Sequence, residues 1–262
     1  MSERLFVQHL HDRRNGRSTP APLPVSTSFL APDADVGRLP GEIWKPHTPS
    51  IASRMPPARS KGFCRGSLVD PTTNRVIVYE STLERDFACI LLADRRVVHL
   101  HDQPPAVVYV MPGGQRKRHT FDFLATTMAG HRLAIAIKPT AMVERSGILE
   151  TLELIRQQAP TGFADQFLLR TERQITRRRA TNARWILRAR RARNEADVED
   201  LRRFTSSLDG AVNLTDLVAA SSMGARGWNA AVCLIDEGCL ELVGQAVIGD
   251  QALVRHPARA SR

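Results

Sequence analysis

The stretch RHTFDFLATTMAGHRLAIAIKPT, residues 118–140, contains two apolar runs, and each run carries a single acidic or lysine side chain. Two strands joined by a turn fit this pattern, and strand alternation then places Asp122 and Lys138 on the same side of a sheet. The other residues on that side are mostly small, so the face is expected to leave room for an ion and a phosphate. Phe121 and Phe123 are expected to point together to the opposite side.

The segments around this hairpin alternate between helical and extended patterns. Residues 81–94 and 148–155 place apolar side chains at helical spacing, and short extended runs lie before, between and after them. A long basic helical stretch with a break follows, up to about residue 204. This order predicts an α/β fold, a mixed sheet flanked by helices, with this core domain at residues 61–195.

Both ends of the chain differ from this core. Residues 1–60 are rich in Pro, Ser and Arg and show no sustained period, which predicts a mobile arm. Residues 196–262 contain a short helix capped by Asn213, a longer helix and two short strands around a turn. Two helices followed by a two-stranded wing predict a small winged-helix domain.

The charge balance favours a polyanionic partner. Lys and Arg number 37 against 27 Asp and Glu, which gives a net charge of +10 and predicts binding to DNA. No apolar run reaches the roughly 20 residues that span a bilayer, so we expect no membrane association and a cytoplasmic location.

The expected DNA contacts lie in two places. Residues 170–203 hold twelve arginines and five acidic residues, more charge than one helix can pair internally. The longer C-terminal helix begins with Arg226, Trp228 and Asn229, which suit DNA contact, although Trp228 also suits a packed core and the helix also suits a protein partner. The arginines expected to bind DNA are Arg177, Arg178, Arg179, Arg184, Arg188 and Arg226.

The charged residues of the predicted hairpin suit metal-assisted phosphodiester chemistry. Mg²⁺ prefers oxygen ligands and retains waters, so Asp122 and a second carboxylate can hold it beside a phosphate, with Lys138 supplying positive charge. Glu84, on the helix before the sheet, is the best-placed second carboxylate. Structural alternatives remain open at this stage: Ser81 and Glu84 fit a capping box, Asp122 and Lys138 fit an ion pair, and Lys138 fits a solvated strand end.

Several motifs, in a fixed order, resemble one protein family. They are YESTLERDF, DQPPAVVYV, RHTFDFLA, LAIAIKPTA, ILETLELIR, FLLRTERQI and TNARWILRARR, and the resemblance covers about residues 62–256. Together they resemble TnsA endonucleases, the subunit of heteromeric transposases that nicks transposon ends. TnsA is similar to restriction endonucleases of the PD-(D/E)XK class, so the resemblance implies a restriction-endonuclease-like mixed sheet.

The resemblance also implies an activity and partners. The expected activity is DNA cleavage at the 5′ ends of a transposon, with Mg²⁺ or Mn²⁺ bound by Glu84, Asp122 and the carbonyl of Ile137, and with Lys138 as the catalytic lysine. The expected partners are a DDE transposase subunit and an AAA+ ATPase regulator.

One position departs from the superfamily pattern. The residue two before the lysine is usually Glu, Asp or Gln, and here it is Ala136, which offers no side-chain oxygen. Two alternatives therefore stay open beside the active transposon nuclease. One is a degenerate nuclease fold that only binds DNA, and the other is a free-standing repair or restriction nuclease.

Overall fold

The structure, a computed structural model, describes residues 45–54 and 64–257. Within these ranges the helices are α1 (Thr82–Ala93), α2 (Thr140–Ser146), α3 (Ile148–Gln158), α4 (Arg177–Arg191), α5 (Glu195–Thr205), α6 (Leu214–Ala220) and α7 (Ala225–Asp236). The strands are β1 (Gly66–Val69), β2 (Val76–Tyr79), β3 (Val97–Asp102), β4 (Val107–Val110), β5 (Arg116–His119), β6 (Phe123–Thr127), β7 (Arg132–Ile137), β8 (Gln166–Arg170), β9 (Ala211–Asn213), β10 (Glu241–Leu242) and β11 (Leu253–Arg255).

A four-stranded mixed sheet forms the centre of the fold. Its order is β3-β6-β7-β8, with antiparallel pairing up to β7 and parallel pairing between β7 and β8. The tight connection between β6 and β7 confirms the predicted hairpin, and the parallel strand β8 follows a helical crossover through α2 and α3. The predicted α/β class is confirmed.

The two predicted amphipathic helices form where their apolar spacing indicates. Ser81 caps α1 by accepting from the N–H of Glu84, and Phe87 and Ile90 on its inner stripe are buried. In α3, Ile148 and Ile155 are 3% and 0% exposed, and Leu152 between them is buried as well.

Both faces of the central sheet are covered. Phe123, Ile135 and Ile137 pack in one cluster with α1 and α4, whereas Leu124 and the alanines of β7 pack in another with α3 and β4. Ala134 and Ala136 are 0% and 1% exposed. The expected open face is therefore wrong, since helix α3 covers it.

A bend before β6 changes the expected side-chain directions. The strand begins at Phe123, and Asp122 lies in a bend just before it. Phe121 consequently packs in the α3 cluster with Leu124, while Phe123 packs in the α1 cluster. The prediction that the two phenylalanines point the same way is wrong, because strict alternation requires a continuous strand.

The C-terminal region holds the predicted elements and one more strand. Asn213 caps α6 through the N–H of Thr215 at 2.9 Å, and the helix pair α6 and α7 is followed by the short strands β10 and β11. The structure adds β9 as a third strand, in the order β10-β11-β9, and α5, the second part of the predicted basic helical stretch, precedes it. The predicted break in the basic helix is confirmed, at residues 192–194.

Part of the predicted arm binds the core. In residues 45–54, the Ser50 hydroxyl donates to Asp102 at 2.5 Å, and the N–H of Ser53 donates to the carbonyl of Gln103 at 2.9 Å. Composition alone does not reveal these bonds, because their acceptors lie about 50 residues away. The rest of the predicted arm, residues 1–44 and 55–60, lies outside the described residues. Within the described ranges, every helix is too short or too polar to span a bilayer.

Candidate active site

A cavity of about 630 Å³ opens where β7 ends, between the start of α1 and the β4–β5 hairpin. It brings together all the residues that the sequence placed in a nuclease site. The predicted residues that line it are Glu84, Asp122, Ile137 and Lys138, together with Ala136. Residues 54 positions apart in the chain thus meet at one end of the sheet.

Asp122 is held by the neighbouring strand. Its Oδ2 accepts from the N–H of Ile137 at 2.6 Å, and its own N–H donates to the carbonyl of Ile135. Burial, and then the nearby carboxylate of Glu84, raise the pKa of Asp122 to about 7. A buried carboxyl group whose pKa is raised this far above its ordinary value, and which has no ion-pair partner, is typical of functional sites.

Glu84 combines two roles that the sequence left as alternatives. Its Oε1 accepts from the Ser81 hydroxyl at 2.9 Å and its Oε2 accepts from the N–H of Glu80 at 2.7 Å, so the reciprocal helix cap forms. The side chain also lines the cavity with Asp122. Burial raises the pKa of Glu84 despite these hydrogen bonds.

Lys138 follows directly after β7 and lines the same cavity. Its N–H donates to the carbonyl of Arg170 on β8 at 3.1 Å, which fixes its backbone. Among the described residues no carboxylate lies within 4.0 Å of its ammonium group, so the alternative of an ion pair with Asp122 is not realised. The charge is nevertheless close enough to limit the rise in the pKa of Asp122, which burial and the carboxylate of Glu84 cause.

The donor set limits what metal the cavity can hold. Within residues 45–54 and 64–257, no three His, Cys, Asp or Glu side chains are arranged to bind one ion. Two carboxylates, Glu84 and Asp122, do repel each other in a desolvated place, and a cation between them would relieve that repulsion. Because Mg²⁺ retains several waters, two carboxylates and a carbonyl such as that of Ile137 fit it better than they fit zinc.

The cavity also contains residues that the sequence analysis did not single out. Glu80 Oε1 and His119 Nε2 are buried with no hydrogen-bond partner among the described residues. Burial and Lys138 lower the pKa of His119 to about 4, so its ring is neutral at pH 7.

Arg54 reaches the rim of the cavity and pairs with Glu80 at 3.1 Å. Glu80 lies within the quoted motif YESTLERDF, whereas nothing in the sequence connects Arg54 with the cavity. Arg65 and Arg118 line the cavity as well.

Several arginines in and just after α4 form ion pairs with acids of other helices. Arg184 pairs with Asp86 at 2.7 Å, Arg190 pairs with Asp236 at 2.7 Å, and Arg193 pairs with Glu237 at 2.6 Å. Their partners are acids of α1 and of the end of α7 rather than acids of the same helix, which leaves fewer arginines free for DNA than their number in the sequence indicates.

The other arginines expected to bind DNA have different surroundings. Arg178 donates to Gln245 and Arg179 donates to the carbonyl of Gln174. Arg188 lies over the ring of Trp185 at 5.8 Å. Arg177 is exposed and has no ion-pair partner in the part of the chain that the structure describes.

The start of α7 is mostly structural. Trp228 packs edge-to-face against Trp185 at 6.0 Å, and the Asn229 amide donates to the carbonyl of Ala192 at 2.8 Å, beyond the end of α4. Arg226 is 72% exposed and pairs with Asp197 at 3.3 Å. Of the three residues, only Arg226 is largely accessible to a partner.

The raised pKa of Asp122 predicts a pH-dependent stability. The unfolded chain releases this proton near pH 4, whereas the folded chain keeps it up to about pH 7. Protonated Asp122 therefore makes its full contribution to the free energy of unfolding below about pH 4, and this contribution is lost as the pH rises through 7. We expect Asp122→Asn to melt above the wild type at alkaline pH, by about 2–4 °C for each kcal/mol relieved, with the difference shrinking toward acid pH.

Thermal melts across this pH range measure the effect. Asp209→Asn, at an exposed position, is the matched control and should differ from the wild type by the same small amount at every pH. A pH-independent difference for Asp122→Asn would contradict the raised pKa.

No protein family model matches this chain, and no curated protein matches it at a significant level. What the protein does is therefore inferred from its own residues and their geometry.

Proposed function

We propose that the protein is a Mg²⁺-dependent DNA endonuclease of the TnsA type, which also accepts Mn²⁺ and cuts the 5′ ends of a transposon. Its partners would be a DDE transposase subunit and an AAA+ ATPase regulator, in the cytoplasm. The observation that carries the proposal is that Glu84, Asp122 and Lys138 line one cavity at the end of a mixed sheet.

The residues divide the work of phosphodiester hydrolysis. Glu84 and Asp122, with the carbonyl of Ile137, would hold the metal ion, which when bound polarises the phosphate and lowers the pKa of water. Lys138 places a positive charge near the site where negative charge develops on the phosphorane. His119, neutral at pH 7, adds no competing charge.

The finer fold assignments are part of this proposal. A restriction-endonuclease-like core is supported by the mixed sheet with helices on both faces. A winged-helix-like C-terminal domain is supported by α6 and α7 followed by a small antiparallel sheet. Arg177 and Arg188 on α4, and Arg226 on α7, are exposed positions for phosphate contact.

A nicking assay tests the proposal. Supercoiled plasmid carrying transposon ends is incubated with the protein, alone and with a candidate DDE transposase, in Mg²⁺, Mn²⁺ or EDTA. We expect nicks only with a divalent ion, at the 5′ ends. Absence of metal-dependent nicking with every candidate partner, from protein that binds DNA, would refute the enzyme.

A degenerate nuclease fold is the second candidate, and Ala136 favours it. This residue is 1% exposed and offers no oxygen, and two carboxylates are a small ligand set. Ala136→Gln adds a ligand at the cavity wall. A large gain in nicking, from none in the wild type, would support the degenerate site, whereas nicking already present without the glutamine supports the enzyme.

A further inference from the structure

The β4–β5 hairpin has two chemically different faces. Cross-strand pairing places Val108 opposite Arg118 and Val110 opposite Arg116, and directly opposed residues lie on one side of a ribbon. Both valines are 41% exposed. The outer face of the hairpin is therefore defined by these four residues, two arginines beside two valines.

The inner face fastens the hairpin to the core. Val107 and Tyr109 are 2% and 5% exposed and pack in the α3 cluster. At the far end of β4, the side chain of Gln158 accepts from the N–H of Val110 at 2.8 Å and donates to its carbonyl at 3.0 Å. The outer face is thus presented by a rigid ribbon, which loses little entropy when it binds a partner.

The basic side chains of this hairpin are available to bind an anionic partner. Arg116, Lys117 and Arg118 are all exposed, and within residues 45–54 and 64–257 none of them forms an ion pair. By contrast, Arg184 and Arg190 on α4 are paired with acids of the fold. The most basic stretch of the sequence is therefore partly neutralised, while the three cations at the start of β5 form no ion pair within the part of the chain that the structure describes.

The hairpin leads directly into the candidate active site. Arg118 and His119, at the end of β5, line the cavity, and the chain reaches Asp122 three residues later. A phosphate bound by Arg118 would consequently be a near neighbour of the one that faces Asp122 and Lys138.

Resting on the proposed function, we propose that the outer face of the β4–β5 hairpin binds in a groove of duplex DNA, with Arg116 and Arg118 on successive phosphates beside the scissile one. A two-stranded ribbon fits the major groove, and the exposed valines suit contact with sugars and thymine methyl groups. The hairpin then sets which phosphodiester enters the cavity.

Salt-dependent DNA binding tests this role. Anisotropy of a fluorescein-labelled transposon-end duplex is measured in Ca²⁺ over a range of salt concentrations, for the wild type and for Arg116→Gln/Arg118→Gln. The double variant should bind roughly tenfold or more weakly, and its salt slope should fall by about two, since each phosphate contact contributes about 0.9. Arg96→Gln, which removes one charge at an 82% exposed position away from the cavity, is the control and should change neither quantity.

The outcomes separate the two proposals. If the wild type nicks DNA and the double variant keeps its affinity and salt slope, the hairpin inference is wrong and the nuclease stands. If the control weakens binding as much per charge as the hairpin variant does, a diffuse electrostatic effect replaces the inferred contacts. Loss of affinity for single-stranded but not duplex DNA would also overturn groove binding. Unchanged thermal melts show that the variants fold.

Discussion

Replacing Asp122 by asparagine is expected to lower the rate of Mg²⁺-dependent nicking about 10³-fold, because the site loses one of the two carboxylates proposed to hold the metal ion. The fold should persist, since the asparagine carbonyl can still accept from the N–H of Ile137. Duplex binding in Ca²⁺ or EDTA should stay within about twofold of the wild type, because the exposed arginines supply most phosphate contacts.

Lys138→Ala is expected to reduce nicking to a similar extent for a different reason. It removes the positive charge near the developing phosphorane but leaves both carboxylates in place. Metal binding should therefore distinguish the two changes: Mg²⁺ should raise the melting temperature of Lys138→Ala and of the wild type, but hardly that of Asp122→Asn.

Initial rates on supercoiled plasmid and melting curves with and without Mg²⁺ measure both effects. Asp209→Asn, at an exposed position outside the cavity, serves as the matched control and should nick at the wild-type rate. Nicking at the wild-type rate by either cavity variant would show that the assigned roles are wrong.

Asp102→Ala is expected to destabilise the protein by about 3–5 kcal/mol, the cost of breaking a buried ion pair on one side. Asp102 is 0% exposed, and its Oδ2 accepts from the Ser50 hydroxyl and from the N–H of Val78 at 2.8 Å. Its Oδ1 faces the Arg75 guanidinium at 3.5 Å. Truncation leaves a buried guanidinium without its counter-charge and removes the acceptor of the Ser50 hydroxyl.

Urea unfolding of the wild type and the variant measures this loss. Asp94→Ala removes a carboxylate that pairs with Arg96 at the surface, so its cost should stay below about 1 kcal/mol. Equal effects of the two substitutions would mean that the Asp102 network contributes no more than a surface pair.

The local structure could be predicted where it depends on local spacing. The helical stripes that contain Phe87 and Ile148, the Asn213 cap and the β6–β7 hairpin all appear at the expected positions. Each depends on residues a few positions apart, and side-chain spacing and capping chemistry operate over that range.

The sequence could predict which charged residues belong to the candidate site, but not how they are arranged. The motif order singled out Glu84, Asp122 and Lys138, and all three line one cavity. The open sheet face expected to carry Asp122 and Lys138 was wrong, because α3 covers the alanines of β7. Arg54 could not be found at all, since its place at the rim depends on residues 45–54 crossing to β3 and β2.

The sequence by itself determined the α/β class, most helices and strands, and the three charged residues of the candidate site, because periodicity and motif order are properties of the chain. Tertiary structure alone decided which arginines have ion-pair partners: acids from distant segments neutralise arginines of α4, whereas Arg116 and Arg118 of the β4–β5 hairpin pair with no acid of residues 45–54 and 64–257. A charge count along the chain cannot show this, because ion pairing depends on distances that only folding sets.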